Sequence, residues 1–247
     1  RRQRQMLIRD RAYTDISYMT SKKTFTQDAT KFFHNLSGFS HRSKLDTLFA
    51  APLQIKSRIL NLIENEAKRG HEGRIILKAN SIVDTDIILA LYKASNAGTK
   101  IDLIIRGICC LRPNIKGVSE NIRVISIVGK YLEHARIYYF KHATPEIYFA
   151  SADLMPRNLE RRVELMTPIF EKELSDKLFE IINLQTKDNT KAHELQYNGE
   201  YKKLSPKDKN PINSQKILEE YIDSTYLSLK RAEEEIKAKK HHKSKNL

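Results

Sequence analysis

The sequence predicts an α/β fold in which a mixed β-sheet is flanked by helices. Two short apolar segments, residues 74–79 and 101–105, have the composition of strands that are buried on both faces. Between them, Asp84 is the predicted N-cap and Gly98 the predicted stop of an amphipathic helix. A strand, a helix and a second strand with short connections indicate a parallel, right-handed βαβ unit.

The other elements follow from apolar spacing and from turn residues. Before the βαβ unit we predict a strand that approaches Met19, a helix capped by Thr26 or Asp28, and a helix opened by Pro52. The segments after the unit are predicted to be strands at 122–128, 135–140 and 146–150, a helix at 168–182, a polar loop at 186–213 and a C-terminal helical extension. The Lys/His-rich end of that extension is predicted to be disordered.

Charge and apolar content limit the partners and the location of the protein. The 247 residues carry a formal net charge of +14, which favours polyanions such as nucleic acid, acidic membranes or phosphate polymers. No apolar run reaches the roughly 20 residues that span a bilayer, and the first residues do not form a secretory signal. We therefore expect a cytoplasmic protein, with attachment to acidic membranes left open. The absence of an initiator Met predicts a piece of a longer protein.

The two cysteines, Cys109 and Cys110, are adjacent and follow a predicted strand. Neighbouring cysteines rarely reach the geometry of a disulfide. We expect two reduced and largely buried thiols.

Polar side chains converge on one predicted edge of the sheet. Lys78 and Asn80 end the first strand of the βαβ unit and Arg106 follows the second, and parallel sheets bind ligands at the carboxyl ends of their strands. His134 precedes a later strand, and Arg136, two positions on, shares its side. Positive neighbours favour the neutral imidazole, which can accept a proton or attack phosphorus. The sequence therefore predicts an anion-binding crevice that contains a histidine.

A group of arginines follows the predicted strands and can extend this crevice. Arg157 and Arg161 lie four positions apart and Arg162 comes next, and a guanidinium fork fits a phosphate group. An ordinary solvated helix face explains the same spacing, with Glu160 and Glu164 as counter-charges. Both interpretations stay open.

The carboxylates near the crevice do not predict a metal site. Asp84, Asp86 and Asp153 lack a diagnostic ligand spacing, and Asp84 is more simply a helix cap. The chain also has no spaced set of Cys and His residues that would hold zinc.

Four segments in the middle of the chain resemble the C-terminal region of the bacterial polyphosphate kinase family. They are IDLIIRGICCLRP from Ile101, SENIR from Ser119, SIVGKYLEH from Ser126 and SADLMPRN from Ser151, and the likeness extends over about residues 6–190. The resemblance implies a phospholipase-D-like fold. It implies that residues 1–48 are the tail of a first catalytic domain and that 49–190 form a second. Residues 191–247 are expected to be a polar tether and a C-terminal helix.

The resemblance also implies an activity, the reversible transfer of the terminal phosphate of ATP to inorganic polyphosphate. In such enzymes a histidine of the first domain becomes phosphorylated, and His134 matches the partner histidine of the second. Tyr13, Arg106 and His134 match positions that contact ATP. The side chains assigned to phosphate or polyphosphate are Lys78, Asn80, Arg136, Arg157, Arg161 and Arg162.

The resemblance names cofactors and partners as well. Magnesium is expected as a cofactor with its ligands upstream of Arg1, so no metal site is expected within this chain. The expected partners are ATP or ADP, polyphosphate, upstream domains of the same chain, and further copies in a homo-oligomer.

Two departures from the phospholipase D pattern, His-x-Lys-x4-Asp, bear on the chemistry. Arg136 stands at the lysine position and Lys141 at the aspartate position, which suits a polyanionic substrate and argues against phosphodiester hydrolysis. A phospholipase-D-type nuclease or phosphodiesterase and a basic nucleic-acid-binding module remain the alternatives. His34, His41 and His71 do not lie in the motif of the phosphorylated histidine, so this chain alone is expected to be inactive.

Overall fold

The described part of the chain forms a nine-stranded mixed sheet with helices on both faces. The computed structural model describes residues 12–38, 44–207 and 210–245, with side chains described as far as Ser228 and at Lys230. The strands are β1 Tyr13–Thr14, β2 Phe49–Ala51, β3 Arg74–Ala79, β4 Lys100–Ile105, β5 Ile122–Ile127, β6 Leu132–Glu133, β7 Arg136–Phe140, β8 Ile147–Ala150, β9 Glu164–Ile169, β10 Ala192–Leu195 and β11 Tyr201–Lys203. The helices are α1 Lys23–Leu36, α2 Ile55–Ala67, α3 Thr85–Asn96, α4 Lys172–Thr186 and α5 Ser214–Lys245, with a 3-10 turn at Gly70–Glu72 and a π-helix at Arg157–Arg161.

The order of strands in the sheet is β11-β10-β5-β4-β3-β7-β8-β9-β2, while β1 and β6 pair separately. Within the nine-stranded sheet, β3, β4 and β5 are parallel to one another and the other pairings are antiparallel. This mixed sheet flanked by helices confirms the predicted α/β fold class.

The predicted βαβ unit forms the centre of the sheet. β3 and β4 lie in parallel with Ile75 opposite Ile101. Nearly all of their residues are buried because helices cover both faces of the sheet. Asp84 caps α3 as predicted, since its carboxylate accepts hydrogen bonds from the backbone N–H groups of Asp86 and Ile87.

β9 contradicts the helix predicted from Pro168. Pro168 lies in β9 and is paired with Tyr148 of β8, and α4 begins only at Lys172. Burial alternates along the first four residues of β9, a period of two that marks a strand. The apolar residues on both sides of Pro168 obscured this alternation in the sequence.

The polar segment at 186–213 is part of the sheet and not a tether. β10 and β11 lie within it and extend the sheet beyond β5, with His193 opposite Ser126 on one side and Lys203 on the other. Only Ala192 and Leu195 of β10 are buried, too few to predict a strand from apolar alternation. Backbone pairing with β5, which depends on tertiary position, creates this strand.

Asp28 does not cap α1, and neither does Thr26. The helix begins at Lys23 without a side-chain cap. The Asp28 carboxylate is buried, and it accepts hydrogen bonds from the backbone N–H groups of residues 46–48 at 2.5 to 2.9 Å. Asp28 therefore holds the segment that leads into β2.

Two further boundaries differ from the predictions. The strand expected to approach Met19 is limited to β1, and α2 begins at Ile55, after a turn that contains Pro52. Both predictions used the local preference of single residues. The pairing of β1 with β6 and the packing of α2 decide the actual ends.

Two apolar cores lie on opposite faces of the sheet. α2 and α3 cover one face, where Ile59 and Leu91 are fully buried, and α4 covers the other, where Ile182 is fully buried. α5 packs against α4. The backbone of α5 is helical to Lys245, where the Lys/His-rich composition predicted disorder; the Glu, Lys and Ala residues of this segment have high helix propensity. Among the described residues, no helix combines the length and the apolar content needed to cross a bilayer.

The two thiols differ in exposure. Cys109 is half-buried and Cys110 is exposed, and both are free. The expectation of two largely buried thiols is therefore wrong for Cys110, because the chain leaves the sheet after β4 in an irregular segment. Burial raises the pKa of Cys109 to about 11.

Candidate functional site

The candidate site lies where β3 and β4 end and β7 begins. His134 comes directly after β6 and two positions before Arg136, the first residue of β7. β6 pairs in parallel with β1, so that Tyr13 lies opposite Leu132. The Thr14 hydroxyl also donates to the Leu132 carbonyl oxygen at 3.3 Å. The first described residues of the chain are thereby held beside His134.

The two ring nitrogens of His134 contact groups of opposite hydrogen-bonding character. Nδ1 lies 3.0 Å from Oδ1 of Asp15, and Nε2 lies 3.3 Å from Nη1 of Arg136. An ionised carboxylate only accepts hydrogen bonds and a guanidinium only donates them. The neutral ring with its proton on Nδ1 satisfies both contacts at once. In this tautomer the lone pair of Nε2 is the only acceptor of the ring.

Asp153 links Arg136 to the end of β3. Its carboxylate oxygens accept hydrogen bonds from Nε and Nη2 of Arg136 at 3.1 and 3.2 Å, a bidentate pairing that fixes the guanidinium plane. One of the same oxygens accepts the backbone N–H of Asn80 at 2.8 Å. Asp153 therefore holds two neighbouring elements of the site together.

Arg106 joins this cluster through Asn80. Its Nε donates to Oδ1 of Asn80 at 2.5 Å. Burial lowers the pKa of the Arg106 guanidinium, while the charge of Asp153 acts in the opposite direction. Asn80, Arg106 and Arg136 thus converge at one edge of the sheet, as the residue pattern predicts.

Lys78 does not point into this crevice, and that prediction is wrong. The Lys78 residue is only 3% exposed, and its ammonium group forms an ion pair with the Glu133 carboxylate at 2.5 Å. Lys78 shares the face of β3 that carries Ile76, and α4 covers this face. A charge in such a position is retained only with a partner.

Glu133 is a buried carboxylate beneath the His134 segment. Besides the ammonium group of Lys78, it accepts hydrogen bonds from the side-chain amides of Gln185 at 2.8 Å and Gln215 at 2.6 Å. Burial tends to raise the pKa of Glu133, but the Lys78 charge and these hydrogen bonds hold it below its ordinary value. β6 is thus anchored from β3, α4 and α5 as well as from β1.

The rings of Tyr13 and His134 form a T-shaped contact. The ring centroids are 5.1 Å apart and the planes are inclined by 85°. Tyr13 remains 50% exposed. An accessible aromatic ring beside His134, which itself contacts Arg136, offers a stacking surface and a phosphate-binding group in one site.

The downstream arginines are exposed. Arg157 and Arg161 belong to the π-helix and have no acidic partner among the described residues, whereas Arg162 lies 3.5 Å from buried Glu164. Glu160, expected as their counter-charge, pairs with a lysine of α2 instead. No hydrogen bond or ion pair within the described part of the chain joins these arginines to His134. Their role in phosphate binding stays a prediction.

The carboxylates considered as metal ligands have other partners. Asp84 and Asp86 share the ammonium group of Lys56 at 2.9 and 2.8 Å, and Asp153 is paired with Arg136. Within residues 12–38, 44–207 and 210–245, no three His, Cys, Asp or Glu side chains are placed to hold a metal ion. Each of these three carboxylates is therefore occupied by a cationic side chain.

The residue pattern did not identify Asp15, Glu133 or Gln215 as part of the site. The sequence offers one indication of Asp15. Alternate residues of an extended segment share a side, so Asp15 lies on the same side as Tyr13, which is already a candidate. It offers no such indication of Glu133 or Gln215, since glutamate and glutamine are common on exposed surfaces. Only their burial in the fold distinguishes them.

The chain is similar to known proteins over most of its length. A family model described as polyphosphate kinase C-terminal domain 2 matches residues 48–215. The polyphosphate kinase of Campylobacter jejuni subsp. doylei is 54% identical over 226 residues, which are 92% of this chain and 32% of the relative. The polyphosphate kinase of Helicobacter pylori is 55% identical over 218 residues, 87% of this chain and 32% of the relative.

A solved structure shares the fold. The crystal structure of polyphosphate kinase from Porphyromonas gingivalis superimposes with a TM-score of 0.84 at 35% identity, over 89% of this chain and 34% of that chain. The present chain spans about a third of the length of the curated relatives that it matches. The family model covers more than half of the chain and includes His134, Arg136 and Asp153. On this evidence the chain belongs to the polyphosphate kinase family.

Proposed function

We propose that this chain is the C-terminal catalytic part of an enzyme that transfers the terminal phosphate of ATP reversibly to inorganic polyphosphate. The observation that carries the proposal is the position of His134, whose ring is held between Asp15 and Arg136 at the edge where Arg106 also lies. Membership of the polyphosphate kinase family supports the same reaction.

In this proposal His134 transfers protons during phosphoryl transfer. With Nδ1–H directed towards Asp15, the lone pair of Nε2 is the proton acceptor of the ring, and it accepts the N–H of Arg136 in the absence of substrate. When a phosphate oxygen accepts this N–H of Arg136 instead, the lone pair of Nε2 is free to take a proton from the attacking phosphate oxygen. The imidazolium that forms is stabilised by the Asp15 carboxylate. The ring can then return the proton to the leaving oxygen.

Arg106 and Arg136 stabilise the charge of the transferred group. Phosphoryl transfer depends mainly on positioning and on stabilisation of charge on the phosphoryl oxygens. The bidentate contact with Asp153 keeps the Arg136 guanidinium in place before the substrate arrives. Tyr13 provides a ring for the nucleotide base, and Arg157, Arg161 and Arg162 guide the polyphosphate chain.

We propose that the phosphorylated histidine and the magnesium ligands belong to another domain of the longer protein. The curated relatives are about three times as long as the matched segment, which leaves room for such a domain. We also propose a homo-oligomer in the cytoplasm, with the +14 charge available for contact with acidic membranes. In this arrangement residues 1–48 belong to the first catalytic domain, and the second begins at residue 49.

Replacement of the histidine tests the proposal. In the full-length protein, His134→Ala is expected to abolish polyphosphate synthesis almost completely, because the proton acceptor is lost. The melting temperature should change little, since His134 is partly exposed. His71→Ala, which changes an exposed histidine before β3, is the control and should retain activity. Turnover of His134→Ala at the wild-type rate would contradict the role of this residue.

A further inference from the structure

We propose that Gln215 in the first turn of α5 is a positioning residue for His134, which makes the C-terminal helix part of the catalytic unit. The proposal rests on the proposed function, because it assumes that His134 takes part in phosphoryl transfer. It adds a requirement for α5 that the family assignment does not supply.

The segment that carries His134 has little backbone support of its own. β6 is 2 residues long and lies outside the nine-stranded sheet, and its strand partner in the described chain is the equally short β1. Such a pair is at most marginally stable in water. The orientation of His134 therefore depends on side chains that hold β6 from other elements.

The carboxamide of Gln215 provides the support that a neighbouring strand normally provides. Its Oε1 accepts the backbone N–H of Tyr131 at 3.0 Å, and its Nε2 donates to the Tyr131 carbonyl oxygen at 3.0 Å. A residue of a paired strand makes the same two hydrogen bonds. Tyr131 directly precedes β6, so the backbone before His134 is held by Gln215 and the backbone of β6 by β1.

Gln215 also binds the carboxylate beneath the histidine. The second N–H of Nε2 donates to Oε1 of Glu133 at 2.6 Å. Every polar atom of this amide is therefore used, and the residue is 4% exposed. A carboxylate in the same place would lose both donors and repel Glu133.

The surrounding residues fix the amide in this position. A Cβ atom on Gly129 would lie 2.1 Å from Oε1 of Gln215, so a larger residue at position 129 would displace the amide from this position. Ser214 is fully buried, and its N–H and hydroxyl both donate to Asp188 at 2.8 Å. One turn later, Glu219 accepts the hydroxyl of Tyr131 at 2.6 Å. The start of α5 is thus tied to the His134 segment at several points.

Variants of Gln215 in the full-length protein test this role. Gln215→Met keeps the side-chain volume and removes all of the hydrogen bonds, whereas Gln215→Glu keeps the acceptor for Tyr131 and removes the donors. The control is Lys216→Met, which changes an exposed side chain on the same turn. Steady-state kinetics with ATP and amide hydrogen exchange over residues 130–137 are measured for each variant.

Both Gln215 variants are expected to lower kcat by about tenfold or more, because a small misplacement of a catalytic group has a large effect on rate. The KM for ATP should stay within about threefold of the wild-type value, since the loss is in the transition state. The amides of residues 130–134 should exchange faster than in Lys216→Met. If Gln215 had only a structural role, its replacement would lower the stability of the enzyme and leave kcat per folded enzyme unaltered.

Two results would overturn the positioning role. One is a kcat within about twofold of wild type for the Gln215 variants while His134→Ala is inactive. The other is a loss of kcat without faster exchange at residues 130–134. If Gln215→Met does not fold, Gln215→Glu decides between these outcomes. An active His134→Ala enzyme would instead refute the proposed function, whatever the Gln215 variants do.

Discussion

The tautomer of His134 is decided by two side chains of opposite character. Asp15 is 119 positions away in the chain and Arg136 only two. Because one can only accept and the other only donate, the ring has one neutral form that satisfies both. The acid–base function proposed for His134 therefore depends on a residue that the local sequence around it does not contain.

Removal of the Asp15 charge should weaken catalysis without unfolding the protein. Asp15→Asn loses the charge that stabilises the imidazolium, and its amide can also present a donor to Nδ1. We expect kcat of the full-length enzyme to fall by about tenfold or more, as is usual when acid–base catalysis is impaired. Asp176→Asn, which changes an exposed carboxylate on α4, should leave kcat unaltered. Equal activity of the two variants would exclude an orienting role for Asp15.

The two departures from the phospholipase D pattern have different weight. Arg136 lies in the site and contacts both His134 and Asp153. Lys141 lies beyond the far end of β7, where its Nζ is 3.4 Å from the Glu72 carbonyl oxygen. Only the arginine can therefore change the chemistry at His134.

At the scale of elements, buried side chains hold segments that strand pairing does not. Gln215 holds the approach to β6, and Asp28 of α1 holds residues 46–48 before β2. In both cases one polar side chain satisfies several backbone groups. Because distant side chains hold these two segments, the local sequence contains few features that predict their structure.

Loss of the Asp28 carboxylate should destabilise the 247-residue chain. Burial tends to raise the pKa of Asp28, but the backbone N–H groups of residues 46–48 and the charge of Lys31 hold it below the ordinary 3.8. Its stabilising contribution is therefore present above pH 3.8 and is lost as the pH falls through the lower folded-state pKa. At pH 7, Asp28→Ala is expected to reduce the free energy of unfolding by about 2 kcal/mol.

Denaturant unfolding with a matched variant checks this prediction. Asp46 is an exposed aspartate whose backbone N–H, and not its side chain, binds Asp28. Asp46→Ala should change the free energy of unfolding by less than about 0.5 kcal/mol. If both variants lose the same stability, the buried carboxylate has no special role.

At the scale of the whole molecule, the positive charge is partly neutralised by internal pairing. Lys56, Lys78 and Arg74 are paired with carboxylates. Arg157 and Arg161 are exposed and have no acidic partner among the described residues. Unpaired guanidinium groups are the ones available to an external polyanion.

A double variant, Arg157→Ala with Arg161→Ala, should weaken the use of polyphosphate by the full-length enzyme. We expect the KM for polyphosphate to rise by about thirtyfold, since loss of two exposed contacts of about 1 kcal/mol each has this effect. The control removes Arg69 and Lys100, which are exposed near the amino ends of β3 and β4.

Two assays on the full-length enzyme distinguish the proposed function from a nucleic-acid-binding module and from a phosphodiesterase. Long-chain polyphosphate should displace bound duplex DNA, and a phosphodiester substrate should not be hydrolysed. Binding of DNA that polyphosphate does not displace would favour the nucleic-acid-binding module.

The result that would contradict the role of the two arginines is a KM for polyphosphate in the Arg157/Arg161 double variant equal to that of its control.

The elements at the centre of the sheet could be predicted from the amino-acid sequence. The βαβ unit, the Asp84 cap and the strands β7 and β8 follow from apolar spacing and local hydrogen bonding, which act over a few residues. The motifs between Ile101 and Asn158 indicated the family, and the positions of Asn80, Arg106 and Arg136 at strand ends predicted their convergence. Each of these inferences depended on residues that lie close together in the sequence.

The pairing of the polar groups follows from the fold and not from the sequence pattern. Lys78 is the partner of buried Glu133, Asp15 directs the ring of His134, and Gln215 holds the backbone that leads to it. β10 exists because β5 offers a free edge. All of these contacts join residues far apart in the chain, and a buried polar group finds its partner by proximity in space and not by spacing in sequence.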